Sequence, residues 1–222
     1  MKIIKKRNEI ALINEFIKIL KIEAIKKKKA KKRLSFVLTG GPSPKRLYKK
    51  MVSSRIDWSN IDLFWGDERF VSKNSKNSNY KLAYDLLIKK IKIKKKNLFP
   101  IKTDKISFKK SSIDYENKIR KYFNRKKVNF DLFLLGMGND GHIASLFPGS
   151  KSLKKKFIAT TITRKDFKRI TLSLDVINKS KKIILWLNNR YKSKVFDKKI
   201  KLGKEIPVNN LNKKNTIIYK IY

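Results

Sequence analysis

The chain has 222 residues and no cysteine, so its length fits one domain over residues 1–222 and its composition excludes disulfides and thiol chemistry. A single histidine argues against a histidine-based metal site, and we predict no metal. The 59 basic and 17 acidic residues give a formal charge of +42 at pH 7, which attracts small phosphorylated molecules without selecting among them.

The predicted elements follow one another in the order of an α/β protein. Some segments have apolar residues at helical spacing and others have short continuous apolar runs, which predicts alternating helices and strands. In chain order they are a helix over 10–20, a strand over 34–38, a helix from near Pro44, a strand over 61–65, a helix from near Asn79, a helix over 106–125, a strand over 130–135, short strands over 157–163 and 169–174, a buried strand over 181–187, a helix over 192–201 and an edge strand over 216–222. Because helices separate most of the strands, we predict a doubly wound, mostly parallel sheet with helices on both faces, as in Rossmann-like folds.

Lysine-rich segments at 26–32, 89–96 and 154–156 interrupt this pattern. We interpret them as helix ends or surface loops rather than as domain boundaries or disordered tails. The alternation of Lys and Ile over 89–96 is typical of a helix end or of an exposed strand edge, and both interpretations stay open.

The first candidate site follows the first predicted strand. The sequence Thr39-Gly-Gly-Pro-Ser-Pro44 leads from that strand into a helix. Backbone N–H groups at a helix start bind anions, and Ser43 adds a hydroxyl that donates to a ligand or caps the helix. The segment therefore predicts a phosphate site at Gly40, Gly41 and Ser43, although a plain turn has the same composition.

The second candidate site follows the next strand, in the sequence Trp65-Gly-Asp-Glu-Arg69. The guanidinium of Arg69 can bind a phosphate through two parallel hydrogen bonds. Asp67 and Glu68 can hold that arginine in place or bind sugar hydroxyls. The alternative is a local ion pair at a strand end.

The third candidate site contains the only histidine. The apolar run 130–135 is typical of a buried parallel strand, and it leads into the glycine-rich turn that ends at His142. Ligands of open α/β sheets bind at the carboxyl ends of strands, where an imidazole can accept a proton from water and Asp140 can orient it. Ser145 is a candidate nucleophile, but the Gly-x-Ser-x-Gly elbow and a second histidine are absent, so we predict that Ser145 caps a helix.

Four motifs occur in a characteristic order and spacing. They are Gly40-Gly41-x-Ser43-Pro44, Phe64-Trp-Gly-Asp-Glu-Arg69 with Ser78-Asn-Tyr80, Leu134-Leu-Gly-Met-Gly-x-Asp-Gly-His142 with Ala144-Ser-Leu-Phe-Pro-Gly149, and Arg169-Ile-Thr-Leu172. Together they resemble the 6-phosphogluconolactonase family, within the wider group of amino-sugar-phosphate isomerases. The resemblance covers residues 9–211 and implies a single-domain α/β fold.

The resemblance implies hydrolysis of 6-phospho-D-glucono-1,5-lactone to 6-phosphogluconate, in the oxidative pentose phosphate pathway, without a cofactor. His142 would be the general base for the attacking water, with Asp140 as its orienting partner. The family places a phosphate-binding lysine at Lys192. The turn over 188–190 is one residue shorter than is usual in the family, so Lys194 is the alternative.

The resemblance also gives the sugar-phosphate lactone as the partner molecule. Its phosphate would be bound by the loop over 40–43, by Arg69 and by the lysine of the last helix. Arg69 and the glycine N–H groups of residues 136–141 are candidates for stabilising the oxyanion. The family usually has a serine where Pro42 stands here.

Three other interpretations of the sequence compete with this one. A deaminase of the same fold needs a glutamate where this chain has Phe147, and an apolar ring cannot move protons. A nucleic-acid-binding module is favoured by charge alone, but the aromatic residues lie within apolar runs rather than alternating with Lys and Arg. We interpret the charge itself as the result of an AT-rich coding sequence, so we expect no specific nucleic-acid partner. The third interpretation is an enzyme that has lost its activity and kept its fold. The side chains that the lactonase reaction needs are all present, which argues against it.

The sequence also carries no pattern of a membrane protein. Residues 1–20 have charged and polar residues throughout, unlike a signal peptide, and no run approaches the roughly 20 apolar residues of a membrane span. We therefore expect a cytoplasmic protein with no membrane partner, and a monomer.

Overall fold

A computed structural model of the chain describes residues 1–154, 157–203 and 205–222. The helices in these residues are α1 (Glu9–Lys29), α2 (Lys45–Val52), α3 (Asn79–Leu86), α4 (Phe108–Tyr122), α5 (Leu174–Lys179) and α6 (Arg190–Lys199). The strands are β1 (Lys2–Lys6), β2 (Leu34–Leu38), β3 (Ile61–Trp65), β4 (Asp67–Arg69), β5 (Leu98–Phe99), β6 (Leu132–Leu135), β7 (Ala159–Thr163), β8 (Lys168–Leu172), β9 (Ile183–Leu187) and β10 (Thr216–Ile221).

The central sheet has its strands in the order β1-β10-β9-β6-β2-β3-β5, and every neighbouring pair in it is parallel. All residues of β2, β3, β6 and β9 are buried. Because side chains alternate between the two faces of a strand, both faces of these strands must be covered. The prediction of an α/β fold with a mostly parallel, Rossmann-like sheet is confirmed.

A second sheet is antiparallel and contains β4, β8 and β7 in that order. The strands predicted over 157–163 and 169–174 correspond to β7 and β8. The sequence does not predict β4, because its three residues are all charged and are typical of a loop. A hydrogen bond of 2.9 Å from Leu172 N to Gly66 O connects the small sheet to the end of β3.

The prediction that the last strand lies at an edge is wrong. β10 pairs with β9 on one side and with β1 on the other, so β1 is the edge strand. The sequence does not predict β1, since three of its five residues are lysines. Lys220 makes β10 look exposed, but it is 7% exposed and its Nζ donates to Asp197 over 2.6 Å.

The lysine-rich segments lie mostly at the ends of helices or in turns. Lys26 to Lys29 form the last turn of α1, where positive charge complements the helix dipole. Residues 89–96 form neither the end of an α-helix nor a strand edge, because two 3-10 turns, Ile88–Lys90 and Lys95–Asn97, overlap the two ends of this segment. In the cluster at 154–156, residues 155 and 156 lie outside the described residues.

No helix in the described part of the chain is long and apolar enough to cross a membrane.

Candidate active site

A cleft of about 510 Å³ opens at the carboxyl ends of β2, β3 and β6. The loops that follow these strands form most of its wall, and α6 adds a side chain from another direction. Eight of the nine residues that the sequence analysis assigns to a site line it: Gly40, Gly41, Ser43, Asp67, Arg69, Asp140, His142 and Lys192. The structure does not bring Glu68 into the cleft.

His142 and Asp140 form a hydrogen-bonded pair after β6. His142 Nδ1 lies 2.6 Å from Asp140 Oδ1, and the His142 backbone N–H donates to the same oxygen over 3.1 Å. Burial raises the pKa of Asp140, but the hydrogen bonds from His142 outweigh burial and lower this pKa to about 2. Asp140 is therefore ionised at neutral pH and holds the proton of a neutral imidazole on Nδ1. This leaves Nε2 free to accept a proton.

Two neighbours fix the space around the His142 ring. The ring of Phe147 lies 4.6 Å away between centroids, at an interplanar angle of 41°. Gly138 comes so close that a β-carbon at this position would lie 2.1 Å from both Cε1 and Nδ1 of His142. The orientation of the imidazole therefore depends on the absence of a side chain at residue 138.

The loop after β2 presents backbone groups to the cleft. The N–H groups of Gly40, Gly41 and Ser43 donate to no other group in the described part of the chain. The N-cap of α2 is Pro44, so the alternative that Ser43 caps this helix is wrong. Free N–H groups at the start of a helix are suited to a phosphate or another anion.

Gly40 is required here by a close approach. A β-carbon on Gly40 would lie 1.9 Å from Oδ1 of Asn79, which also lines the cleft. Asn79 in turn donates from Nδ2 to the backbone oxygen of Asp67 over 3.0 Å. The loop after β2 is thus packed directly against the start of α3. Asn79 belongs to a sequence motif but has no role assigned from the sequence, and the N-cap of α3 is Ser78.

Lys192 enters the cleft from the first turn of α6. Its Nζ donates to Met137 O over 2.9 Å and to Asn139 Oδ1 over 2.8 Å. Burial lowers the pKa of Lys192, and the charge of Asp140 opposes this shift. Lys194 is exposed and does not line the cleft, so the geometry favours Lys192 of the two lysines considered.

Asp67 and Arg69 lie on the cleft face of β4. Arg69 donates from Nη1 to Asn77 O over 2.9 Å. Asp67 accepts a hydrogen bond of 2.6 Å from Ser145 Oγ on Oδ2. The guanidinium makes no further hydrogen bond to a described residue and so keeps N–H groups for a ligand, while the carboxylate of Asp67 is held by Ser145 and by Asn79.

Glu68 points away from the cleft because residues of a strand alternate between its faces. It is 1% exposed, and its carboxylate accepts hydrogen bonds from Ser78 Oγ and from the backbone N–H groups of Arg69, Asn79 and Tyr80. Burial raises the pKa of Glu68 to about 7, against the effect of the three backbone N–H groups. Direct binding of a sugar hydroxyl by Glu68 does not fit this position. Its contacts instead anchor the start of α3.

Ser145 does not cap a helix, which corrects the sequence prediction. It is 1% exposed, and besides its bond to Asp67 its backbone N–H donates to Thr171 Oγ1 over 3.2 Å. Residues 143–146 form turns and bridges rather than a helix. Ser145 therefore connects the histidine loop to the small antiparallel sheet.

Arg169 belongs to a sequence motif without an assigned role, and Asp166 lies in none of the motifs. Both line the cleft. Arg169 is 8% exposed and donates from Nη1 to Asp166 Oδ1 over 2.8 Å. The hydrogen bond from Arg169 lowers the pKa of Asp166 well below its usual range. The pairing of β4 with β8 places Arg169 beside the cleft, so Arg169 is predictable as a site residue only when β4 is recognised as a strand.

All three glycine N–H groups considered as oxyanion donors are already occupied. The N–H groups of Gly136, Gly138 and Gly141 donate to Thr39 Oγ1, His142 O and Gly138 O. Of the candidates considered, Arg69 keeps free donors. Within the described residues, no group of three or more Asp, Glu, His or Cys side chains is placed to hold a metal ion.

Comparison with known proteins gives consistent similarities. The family described as "Glucosamine-6-phosphate isomerases/6-phosphogluconolactonase" matches residues 7–219. A protein of Synechocystis sp. named 6-phosphogluconolactonase is 33% identical over 154 residues, which cover 68% of this chain and 64% of that protein. The Arabidopsis thaliana protein named "6-phosphogluconolactonase 3, chloroplastic" is 35% identical over 225 residues, covering 91% of this chain and 69% of that protein.

The fold has a close counterpart among solved structures. The crystal structure of 6-phosphogluconolactonase from Thermotoga maritima superposes with a TM-score of 0.86 at 24% identity, covering 99% of this chain and 98% of that chain. At this identity the likeness is evidence of the fold alone. Because one relative is named as chloroplastic, a cytoplasmic location stays a prediction for this chain.

Proposed function

Because this chain belongs to the family of glucosamine-6-phosphate isomerases and 6-phosphogluconolactonases, we propose that it hydrolyses 6-phospho-D-glucono-1,5-lactone to 6-phosphogluconate. The observation that carries the proposal is the His142–Asp140 pair, whose Nε2 is free in a cleft that also contains unoccupied backbone donors and cationic side chains. The cleft therefore combines a general base, which can activate water, with an anion site, which can hold the phosphate. Hydrolysis of a phosphorylated lactone uses both. No cofactor is needed for this reaction.

In the proposed mechanism, His142 Nε2 removes a proton from a water molecule as the water oxygen attacks the lactone carbonyl carbon. The ionised Asp140 stabilises the imidazolium that forms. The carbonyl oxygen gains negative charge, and the free N–H groups of Arg69 are suited to stabilise it. Collapse of the tetrahedral intermediate breaks the bond to the ring oxygen, which takes the proton from His142. The product is an open-chain acid.

The phosphate would lie at the other end of the cleft. The free N–H groups of Gly40, Gly41 and Ser43 can donate to its oxygens. Lys192 can also bind the phosphate if its ammonium group replaces the hydrogen bond to Asn139 Oδ1 by one to a phosphate oxygen. Holding the phosphate at a fixed distance from His142 places the lactone carbonyl beside the base, which lowers the entropic part of the barrier.

The deaminase activity of the same family is disfavoured by Phe147. Deamination of an amino-sugar phosphate requires proton transfers during ring opening, and in this cleft an apolar ring packs against His142 where the resembling motif has a glutamate. Lactone hydrolysis requires no acid at that position. Phe147 therefore supports the choice of the lactone over the amino sugar.

The proposal is tested by following lactone hydrolysis with purified wild-type protein and with His142→Ala, each corrected for the spontaneous reaction. Loss of a general base is expected to lower kcat by about 10²- to 10⁴-fold while the circular dichroism spectrum is unchanged. Equal rates for the two proteins would show that His142 is not the base. Release of ammonia from glucosamine 6-phosphate would instead identify the deaminase activity.

A further inference from the structure

A second cavity, of about 610 Å³, lies between the loop after β4 and the loop that joins β5 to α4. Among the described residues, it shares no lining residue with the cleft that contains His142. Its volume is within the range of roughly 300–1,000 Å³ that is typical of small-molecule sites. The proposed lactonase reaction makes no use of it.

The floor of this cavity is apolar and partly aromatic. Tyr80, Pro100 and Ile101 line it. Tyr80 is fixed by a 2.7 Å hydrogen bond from its backbone N–H to Glu68 Oε2 and by ring contacts of 5.5 Å with Trp65 and 5.8 Å with Tyr84. A floor held in this way is pre-organised to receive a planar apolar group.

The rim of the cavity is strongly basic. Lys73, Lys102, Lys105 and Lys118 line it together with a single carboxylate, that of Asp104. Lys118 is paired with Asp114 at 2.7 Å, and the carboxylate of Asp104 accepts the backbone N–H of Lys73. The side chains of the other three lysines form no ion pair with any described residue.

The backbone of the rim adds a further observation. Lys105 has a φ of 53°, in the left-handed region that residues other than glycine seldom adopt. Such conformations cost free energy and occur often where a loop is shaped for a ligand. Lys105 and Lys102 both line the cavity.

From this combination we propose that the second cavity binds a nucleoside polyphosphate. The base lies on the floor formed by Tyr80, Pro100 and Ile101, and the phosphates lie against the unpaired lysines of the rim. An inorganic polyphosphate would satisfy the lysines but leave the apolar floor uncovered. A nucleoside without phosphates would cover the apolar floor but leave the lysines without an anion. Both parts of the ligand are therefore needed for tight binding.

The test is calorimetric titration of the full chain at physiological ionic strength with ATP, with tripolyphosphate and with adenosine. ATP is expected to bind at least about tenfold more tightly than either of the others, since only ATP covers the floor and contacts the rim. Equal affinity for ATP and tripolyphosphate would overturn the proposal, because it would show general attraction to a chain of high positive charge.

Two double variants remove the same charge from different places. Lys102→Gln with Lys105→Gln is expected to weaken ATP binding about tenfold, because two phosphate contacts are lost. Lys213→Gln with Lys214→Gln removes two exposed lysines near β10 and is expected to leave the affinity unchanged. Equal losses in both variants would overturn the proposal. Circular dichroism of each variant checks that the fold is kept.

Two further measurements locate the bound nucleotide. Tyr80→Leu is expected to weaken ATP binding while tripolyphosphate binding stays the same, because only the base contacts the ring. Saturating 6-phosphogluconate is expected not to displace ATP, because it would occupy the other cleft. Displacement of ATP would show that the nucleotide binds in the cleft of His142 and would refute the second site, whether or not the lactonase proposal holds.

Discussion

Arg69 and Arg169 lie directly opposite each other in the antiparallel pairing of β4 with β8. Opposed side chains in such a pair point to the same face, with β-carbons about 4.5–5.5 Å apart, and like charges in this arrangement repel. Both arginines line the cleft, and among the described residues Arg169 has an ion-pair partner, Asp166, whereas Arg69 has none. An anion bound between the two guanidinium groups would relieve this repulsion.

The first prediction concerns Arg169, to which the sequence gives no role. Replacement by methionine keeps much of the apolar volume but removes the charge. We expect Arg169→Met to raise KM for the phosphorylated lactone about tenfold, because a charge-assisted contact to the substrate is lost. Steady-state kinetics measures the change.

The control for this variant is Lys168→Met, on the same strand. It removes one positive charge from the exposed neighbour of Arg169, which the alternation of β8 places on the other face. We expect KM to stay near the wild-type value. The same rise in KM in both variants would attribute the effect to overall charge rather than to a contact in the cleft.

The second prediction concerns the close approach of Gly138 to His142. In Gly138→Ala the new methyl group would lie 2.1 Å from the imidazole, so the ring must move. We expect kcat to fall about 100-fold, because a displacement of about 1 Å at a reacting group has an effect of this size. The fall is measured at saturating lactone, with the melting temperature recorded for each protein.

Gly136→Ala is a matched control in the same loop. A β-carbon at Gly136 would have Thr39 Oγ1 as its nearest neighbour at 3.6 Å, which is an ordinary contact. This variant is expected to keep most of its activity. If both variants lost activity equally, flexibility of the whole loop would be the cause.

The third prediction separates two roles for Ser145. If Ser145 only supports Asp67, Ser145→Ala destabilises the fold by about 1–3 kcal/mol, because the buried carboxylate loses the shorter of its two side-chain hydrogen bonds, and much of kcat is kept. Urea denaturation and the hydrolysis assay measure the two effects. The control is Ser53→Ala, whose exposed hydroxyl donates to Lys50 O over 3.2 Å. A loss of kcat as large as that of His142→Ala would instead support a nucleophilic serine.

The errors of the sequence analysis around the cleft have a common origin. The buried strands β2, β3, β6 and β9 are predictable because continuous apolar runs have few alternatives, and the loops after them carry His142, Asp140 and the glycines. The β4 strand is short and charged, so its residues give no strand signal. Once β4 is known, its alternation places Asp67 and Arg69 in the cleft and Glu68 behind it.

Long-range pairing accounts for the other differences. The edge position of β1 and the contact of Ser145 with Asp67 each join residues far apart in the sequence. Local patterns do not encode such partners. The sequence therefore predicts which loops carry the chemistry better than it predicts which residues support them.

The last prediction follows from the burial of Glu68. The pKa of Glu68 is raised to about 7 from an ordinary value of 4.5. Between pH 4.5 and 7 the carboxyl group is therefore protonated in the folded state and ionised in the unfolded state. This contribution to stability is complete below about pH 4.5 and is lost as the pH rises through about 7. In Glu68→Gln the group cannot titrate, so the free energy of unfolding of the wild type relative to this variant is expected to fall by about 3 kcal/mol across the window.

Urea denaturation of both proteins at several pH values from 4.5 to 8 measures this difference, with the ionic strength held constant. The carboxyl ¹³C shift of Glu68 provides an independent check, since a resonance missing from the variant should titrate near pH 7 in the wild type. A stability difference that is constant over the whole range would show that Glu68 is ionised throughout. In that case the four hydrogen-bond donors around its carboxylate would outweigh the effect of burial.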